Sequence, residues 1–192
     1  MKIAFVGKMR AGKDTCAEYL CNKYDGQIYK FADRLYEMQE KLYEMAELPY
    51  SSDTKNRKLL QYLGTDFVRT IDPDAWVKIL EKKLRKIIIQ DVIYKEHALF
   101  NDYTPHNMFV TDARFPNEVT MLRSLGFTMV LVDRPLEERI KFGASDLQHL
   151  SETALDGKFT PDLTIVNDKT LDDLYQRVEE VANIAKVMPN LL

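Results

Sequence analysis

The residues with the clearest chemical potential form one short run near the start of the chain. Apolar residues 3–6 lead into a loop bounded by Gly7 and Gly12, and Lys13 follows at once. Glycines at both ends allow the backbone to turn with its N–H groups pointing inward around an anion. A helix that begins near Lys13 adds unpaired N–H groups and the positive end of its dipole. The pattern predicts a loop that binds the phosphates of a nucleotide.

The residue after the lysine departs from the usual form of such loops. That position is normally a serine or threonine whose hydroxyl holds Mg²⁺, and here it is Asp14 with Thr15 behind it. Because a carboxylate is a good ligand for a hard cation, we expect Asp14 to contact a metal directly or through water. Thr15 would then bond the α-phosphate. The alternative, a chance glycine-rich turn, is disfavoured by the strand before the loop and the amphipathic helix after it.

A second candidate group stands at the end of another apolar run. Residues 108–111 lead into Asp112, and Arg114 follows two residues later. Ligands of parallel sheets bind beyond the carboxyl ends of the strands, so we expect Asp112 near the metal and phosphates. Arg114 offers a fork that matches a phosphate in two places. The alternatives are a turn-forming Asp112 and a surface pair between Arg114 and Glu118 at helical spacing.

Three basic residues between positions 57 and 69 bring positive charge to an otherwise acidic chain. Gly64 lies inside a helical pattern, at a cost of about 1 kcal/mol relative to alanine. A bound ring, a sugar or a tightly packed helix would each explain it. Trp76, the only tryptophan, either stacks on a base or belongs to the core. The basic residues are Arg57, Lys58 and Arg69.

Residues 134–157 are charged, and we expect them to be irregular. Arg134, Arg139 and Lys141 accompany a hinge-like Gly143. Such a flap closes on phosphates and excludes water. His149 and Glu152 lack the paired histidines of a zinc helix, so no metal site is predicted there.

The elements that position these groups alternate between strands and helices, which predicts an α/β fold with a mainly parallel sheet. We expect strands at residues 2–6, 27–31, 107–111, 127–132 and 163–166. We expect helices at residues 13–24, from about 33, from about 53, from Asp72-Pro73 with the proline at the first position, at 115–125, and after Thr170. Residues 97–106 read as an irregular loop.

Composition limits the function. A chain of 192 residues with net charge −3 fits one domain and is no basic nucleic-acid binder. We see no apolar run as long as a membrane span and no signal peptide ahead of the first strand. Cys16 and Cys21 would share one helix without facing each other, so we expect free, reduced thiols and a cytoplasmic location.

The motifs, taken together, resemble those of phage-type deoxynucleoside monophosphate kinases, within the P-loop NMP kinase superfamily. The matching segments run in family order over nearly the whole chain, and Leu-Gly-Thr-Asp with Trp-Val-Lys is their most specific part. They are the phosphate loop and residues 31–33, 57–66, 76–78, 111–114 with Glu118, 132–135, 149–152 and 165–168.

The resemblance implies a five-stranded parallel sheet flanked by helices, within a single domain spanning residues 1–192. A helical acceptor-binding part would cover about residues 33–95, and a lid about residues 134–157. The implied reaction transfers the γ-phosphoryl group of ATP to a deoxynucleoside 5′-monophosphate with Mg²⁺. The implied enzyme is a homodimer, in the host cytoplasm if phage-encoded.

The resemblance also assigns roles by position. ATP would be held by Gly7, Arg10, Ala11, Gly12, Lys13, Asp14, Thr15 and Arg134. The metal ligands would be Asp14 and Asp112. The acceptor would be framed by Arg34, Arg57, Lys58, Gly64, Thr65, Arg69, Trp76, Asp112, Arg114 and Glu118. The catalytic groups would be Lys13, Asp112, Arg114 and Arg139. Arg34 enters because the chain reads Ala32-Asp33-Arg34 where members often carry proline and lysine, so it would replace that lysine.

Two other functions stay open. A phosphomevalonate kinase of the animal type shares the Gly-Lys-Asp loop and an Asp-x-Arg, but its acceptor would leave Trp76 without a purpose. A non-catalytic nucleotide switch is the second. A guanine-reading Asn-Lys-x-Asp is absent, because Asn167-Asp168-Lys169 lacks its spacing.

Overall fold

A five-stranded parallel sheet forms the centre of the protein. The computed structural model describes residues 1–51, 55–96, 103–145 and 147–187. The strands lie in the order β2-β3-β1-β4-β5, and every neighbouring pair is parallel. They are β1 (Lys2–Val6), β2 (Gly26–Tyr29), β3 (Asn107–Val110), β4 (Thr128–Asp133) and β5 (Leu163–Val166). The predicted α/β fold with five parallel strands is therefore confirmed.

Helices cover both faces of the sheet. Alternate residues of β1 supply two separate cores, because successive side chains of a strand point to opposite faces: Ile3 and Phe5 belong to one, Ala4 and Val6 to the other. The first core includes α1 and α9, and the second includes α5 and α6. The helices are α1 (Lys13–Tyr24), α2 (Asp33–Met45), α3 (Arg57–Gln61), α4 (Val68–Ile71), α5 (Ala75–Glu96), α6 (Pro116–Ser124), α7 (Leu136–Lys141), α8 (Leu150–Thr153) and α9 (Leu171–Val187).

The helix predicted from about residue 53 is built of three consecutive pieces, and its expected start lies outside the described residues. α3 runs into a π-helical turn (Tyr62–Phe67), which continues as α4. Gly64 is buried in the wide turn, where a Cβ atom would lie 2.9 Å from Leu35 Cδ2. Close packing of two helices thus explains the glycine, and wide turns of this kind are frequent at functional sites.

Several predicted boundaries were wrong. Pro73 is not the first residue of α5, which begins at Ala75; the Asp72 carboxylate instead accepts the Asp74 N–H at 3.0 Å, within the turn before the helix. β2 ends at Tyr29, two residues early, and the Phe31 N–H bonds to the Asp112 side chain rather than to a neighbouring strand. Residues 134–157 are not wholly irregular, since α7 and α8 lie among them.

Other expectations concern the cysteines, the loop after α5 and the membrane. Cys16 is buried, Cys21 is partly buried, and both are free thiols as predicted. Burial raises the pKa of Cys16 to about 12, which makes it unreactive. Of the predicted loop at 97–106, only residues 103–106 are described, and they carry no regular structure. Within the described helices, none combines the length and apolar character that a membrane crossing needs.

Candidate active site

The loop between β1 and α1 leaves no room for larger residues at its two glycines. Gly7 has φ +151°, and a Cβ atom there would clash with the carbonyl oxygen of Val132 in β4. Gly12 has φ +105°, and its Cβ would lie 2.6 Å from Asn167 Nδ2. Both backbone conformations are open mainly to glycine. The loop is thus pressed between the ends of two further strands.

Asn167 locks this loop in place, a role that sequence reasoning missed. It follows β5, is buried, and donates from Nδ2 to the Ala11 carbonyl oxygen at 2.8 Å. The sequence signal was only its position at the end of a strand, within a segment quoted for the resemblance. Asn167 ties the first and last strands together across the site.

Lys13 lies inside the loop as a desolvated cation. It is only 6% exposed, and its Nζ donates to the Lys8 carbonyl oxygen at 2.8 Å. Burial, helped by the nearby Arg114 guanidinium, lowers the pKa of Lys13 to about 8. Lys13 forms no ion pair with any carboxylate of the described residues, and a buried ammonium of this kind gains strongly from a bound phosphate.

Asp14 stands at the start of α1 between two donors. Its Oδ1 accepts the Thr111 hydroxyl at 2.7 Å and pairs with Lys30 Nζ at 3.0 Å. Although burial acts to raise the pKa of Asp14, the hydrogen bonds from Thr111 and Lys30 hold it below its usual value. The carboxylate is therefore ionised. Lys30 and Thr111 are further site residues that sequence reasoning did not single out.

Asp112 fixes the turn between β2 and α2. Its two carboxylate oxygens accept the N–H groups of Phe31 at 3.0 Å and Ala32 at 2.9 Å. Burial raises the pKa of Asp112, and these two hydrogen bonds oppose that rise. Asp112 therefore fits both predicted interpretations, the functional one and the turn-forming one. It lies at the carboxyl edge of the sheet beside the cleft, and it stabilises the turn that precedes α2.

Glu118 is buried beneath the cleft and is held by three donors. It accepts the guanidinium of Arg69, the Arg114 N–H at 2.6 Å and the Phe115 N–H at 3.0 Å. The Arg69 guanidinium also lies 3.9 Å from the centre of the Phe115 ring. Arg114 therefore meets Glu118 through its backbone, while its side chain pairs with Glu152. The predicted alternative of a surface pair between Arg114 and Glu118 is wrong.

A cavity of about 360 Å³ opens beside these groups, and we call it the acceptor cleft after the role that the resemblance predicts for residues in its lining. Eight of the ten residues expected to frame an acceptor line it: Arg57, Gly64, Thr65, Arg69, Trp76, Asp112, Arg114 and Glu118. Arg34 and Lys58 do not. Arg34 is exposed near the start of α2, where it pairs with Glu37 one turn along the same helix. Lys30 lines the cleft instead.

Trp76 lies at the boundary between the core and the acceptor cleft. It is 5% exposed and donates from Nε1 to the Gly64 carbonyl oxygen at 2.9 Å. This bond satisfies the indole N–H and fixes the wide turn of the preceding helix. Of the two interpretations left open, the core role holds, although one side of the ring borders the cleft.

A second cavity, of about 530 Å³, also borders the phosphate loop, and we call it the donor cavity after the ATP-binding role that the resemblance predicts for residues in its lining. Arg10, Gly12, Lys13, Asp14 and Thr15 line it together with Arg134, Phe142 and Asn167. The Arg134 guanidinium lies 4.1 Å from the centre of the Phe142 ring, which makes a flat cationic surface suited to a planar base. Arg139 lines neither this cavity nor the acceptor cleft; its Nε donates to the Arg134 carbonyl oxygen at 3.2 Å.

The two cavities meet at the phosphate loop. Arg10, Lys13 and Asp14 line both of them. A group bound in either cavity therefore reaches the same buried cation and the same carboxylate. This arrangement suits the direct passage of a phosphoryl group from one bound molecule to another.

Comparison with known proteins gives relatives in large viruses and phages. The chain is 32% identical over 178 residues to an uncharacterized protein, ORF77, of Ictalurid herpesvirus 1 (strain Auburn), which covers 92% of this chain and 68% of that protein. It is 31% identical to a putative deoxynucleotide monophosphate kinase of Acanthamoeba polyphaga mimivirus over 69% of this chain, and to the deoxynucleotide monophosphate kinase of Escherichia phage RB69 over 65%. The match spans 63% of the mimivirus protein and 43% of the phage protein.

The fold and the family follow from two further comparisons. Shikimate kinase from Aquifex aeolicus has the same fold: it superposes with a TM-score of 0.51 over 98% of this chain and 99% of that one, at 14% identity. The model of the deoxynucleotide monophosphate kinase family matches residues 50–178. With that match over two thirds of its length, the chain belongs to the deoxynucleotide monophosphate kinase family of phosphotransferases.

Proposed function

We propose that this chain transfers the γ-phosphoryl group of ATP to a deoxynucleoside 5′-monophosphate. One observation carries the proposal: the donor cavity and the acceptor cleft share Arg10, Lys13 and Asp14. Direct transfer requires the two phosphates to approach in line at one place that excludes water. Family membership supports a nucleotide as the donor and a nucleoside monophosphate as the acceptor.

The residues at the loop fit a magnesium ion. Mg²⁺ takes oxygen ligands, and it commonly uses one or two carboxylates together with substrate phosphates and water. Asp14 supplies an ionised carboxylate beside the Thr111 hydroxyl. The described residues hold no group of three acidic, histidine or cysteine side chains, and Mg²⁺ at a phosphate loop needs none. Asp14 would hold the metal, with Asp112 near it, and the bound ion would offset charge on the phosphate oxygens.

The chain's own cations would perform the remaining work. Lys13 would neutralise charge on the β- and γ-phosphates from inside the loop. Arg114, at the edge of the acceptor cleft, would do the same for the transferring group. We propose Arg134 as a contact to the adenine, and Arg139 as the support of Arg134 rather than as a direct phosphate contact. The acceptor is already an ionised phosphate, so no strong general base is required.

Lys30 is the residue that we propose for the acceptor phosphate in place of Arg34. Its ammonium lies 3.0 Å from the Asp14 carboxylate, and the side chain lines the acceptor cleft. Metal binding at Asp14 would release that ammonium to meet an incoming monophosphate. The helical part at about residues 33–95 would frame the nucleoside, and residues 134–157 would act as the lid. A homodimer stays a prediction.

Coupled ADP release tests the proposal. The protein is given ATP with Mg²⁺ and, one at a time, dAMP, dGMP, dTMP, dCMP, their ribonucleotide counterparts and phosphomevalonate. Turnover that appears only with deoxynucleoside monophosphates is the expected result, and it gives the base preference at once. Turnover with phosphomevalonate alone would overturn the acceptor assignment. Slow ADP release that ignores every acceptor would instead indicate a nucleotide switch.

A further inference from the structure

Glu152 is a buried carboxylate that joins the lid to the phosphate loop. It lies in α8 and is 6% exposed. Its Oε2 accepts the Met9 N–H of the loop at 2.8 Å, and its Oε1 accepts the Arg114 guanidinium. One side chain therefore bridges three parts of the site: the loop after β1, the segment after β3, and the lid.

Attachment of the lid does not depend on this carboxylate alone. Lys8 Nζ donates to the backbone carbonyl oxygen of Glu152 at 2.6 Å and forms an ion pair with Asp156. These contacts hold the segment after α8 on the loop without the Glu152 side chain. A purely structural purpose would thus leave the buried charge of Glu152 unexplained, since burying a charged pair is costly.

The pairing with Arg114 gives a reason for the buried charge of Glu152. Arg114 also approaches the Ser151 carbonyl oxygen, with Nη1 at 3.4 Å, so one edge of its guanidinium faces the lid. A guanidinium has five N–H donors in a planar fork, and this pairing leaves the others for a phosphate. A long side chain that is already ordered loses less entropy when its ligand arrives.

We propose that Glu152 is a positioning residue, which holds the Arg114 guanidinium against the phosphate loop so that it is aligned on the transferring phosphoryl group before the substrates bind. The proposal rests on the phosphoryl transfer proposed above. Because Glu152 binds the loop and Arg114 together, it fixes the distance between the two cationic parts of the site. Such preorganisation acts on the rate of the chemical step more than on ground-state binding.

The first experiment measures the Arg114 side chain directly by NMR. Rotation about the Nε–Cζ bond of Arg114 is followed in the free, ¹⁵N-labelled wild-type protein, with the signal assigned from Arg114→Lys. We expect slow rotation, with resolved Nη signals, and fast averaged rotation in Glu152→Gln. Averaged signals in the wild-type protein would overturn the proposal, and that result needs no variant that might fold poorly.

The second experiment separates positioning from folding by kinetics. Glu152→Gln keeps an oxygen that can accept the Met9 N–H but loses the charged pair. We expect kcat to fall about 100-fold, with the KM for both substrates changed less than about threefold. Arg114→Lys should lose a similar factor, and the double variant should lose no more than either single one. Glu138→Gln, in the same lid but paired with the exposed Lys141, is the matched control.

The outcomes distinguish this proposal from the proposed function. An active wild-type protein together with an unchanged kcat in Glu152→Gln would overturn the positioning role alone. So would losses that multiply in the double variant, because they would show that Glu152 and Arg114 act independently. A folded wild-type protein that turns over no acceptor would contradict the proposed function and the kinetic role of Glu152 with it.

Discussion

The donor cavity and the acceptor cleft meet at the same three residues, yet they are assembled in different ways. Five of the residues that line the donor cavity come from one continuous run, residues 10–15. The acceptor cleft draws its lining from segments as far apart as residues 30–36, 55–76, 111–118 and 151–152. The donor cavity thus has a continuous segment at its centre, which Arg134, Phe142 and Asn167 complete from beyond β4 and β5, whereas the acceptor cleft is assembled mainly from separate segments.

This difference also appears in how charge is balanced. On the acceptor side most charges already have partners: Arg69 with Glu118, Arg114 with Glu152, and Lys30 with Asp14. Among the residues that the structure describes, Lys13 Nζ donates only to a backbone carbonyl oxygen, that of Lys8. In the proposed reaction, donor phosphates would therefore meet an ammonium that has no ion-pair partner among the described residues, whereas an acceptor would meet cations that are already paired. Substitutions on the two sides should therefore change different kinetic quantities.

Lys13→Ala gives the largest expected effect and tests the donor side. We expect transfer to fall by about 1,000-fold or more, because the developing charge on the phosphates loses its nearest buried cation. The melting temperature should hold or rise, since the substitution removes a desolvated ammonium. Coupled ADP release measures the rate of transfer, and thermal denaturation measures the melting temperature. Lys23→Ala, on the same helix but with an exposed side chain paired with Glu179, is the control. Near-normal turnover in Lys13→Ala would remove the phosphate-loop assignment.

Lys30→Met and Arg34→Met, compared side by side, test the acceptor side. We expect Lys30→Met to raise the KM for the monophosphate about tenfold, which is the usual worth of a charged hydrogen bond. The KM for ATP should change much less. Arg34→Met should leave both constants within about twofold, since its exposed pair with Glu37 contributes little. The opposite order of effects would restore Arg34 to the acceptor site and leave Lys30 with a role at Asp14 alone.

The sequence was sufficient for the order of the strands and main helices and for the phosphate loop, although it did not reveal that Asn167 holds this loop. The alternation of strands and helices predicted the five-stranded parallel sheet, and the spacing from Gly7 to Thr15 predicted the loop, because both signals are local in the chain. The exact ends of the helices and strands were harder to predict. Asp72-Pro73 is a good helix start by composition, but the Asp72 side chain caps a turn ahead of α5 instead. The two helices within residues 134–157 were not predicted, because each is six residues or shorter and gives no clear helical periodicity.

The acceptor side could be predicted only in part, for a physical reason. Its partners lie far apart in sequence: Arg69 and Glu118 are 49 residues apart, and Arg114 and Glu152 are 38 apart. No periodicity links such residues. Lys30 was missed because it precedes the motif that drew attention to Arg34, and only the start of α2 at Asp33 decides which of the two side chains enters the cleft.

The pH dependence of ATP binding gives the smallest expected effect and sharpens the contrast between the two sides. With a pKa of about 8 in the free protein, Lys13 is mostly neutral at pH 8.5 and mostly charged at pH 6.5. Bound phosphates favour the ammonium and raise its pKa, so ATP binding should take up a fraction of a proton at pH 8.5 and almost none from Lys13 at pH 6.5. The affinity for ATP should accordingly fall about threefold from pH 7.5 to 8.5.

Calorimetry in two buffers of different ionisation enthalpy measures how many protons ATP binding takes up. In Lys13→Arg, whose side chain stays charged, both the proton uptake at pH 8.5 and the loss of affinity should disappear. An uptake that persists in Lys13→Arg would move the titration to another group and leave Lys13 charged throughout.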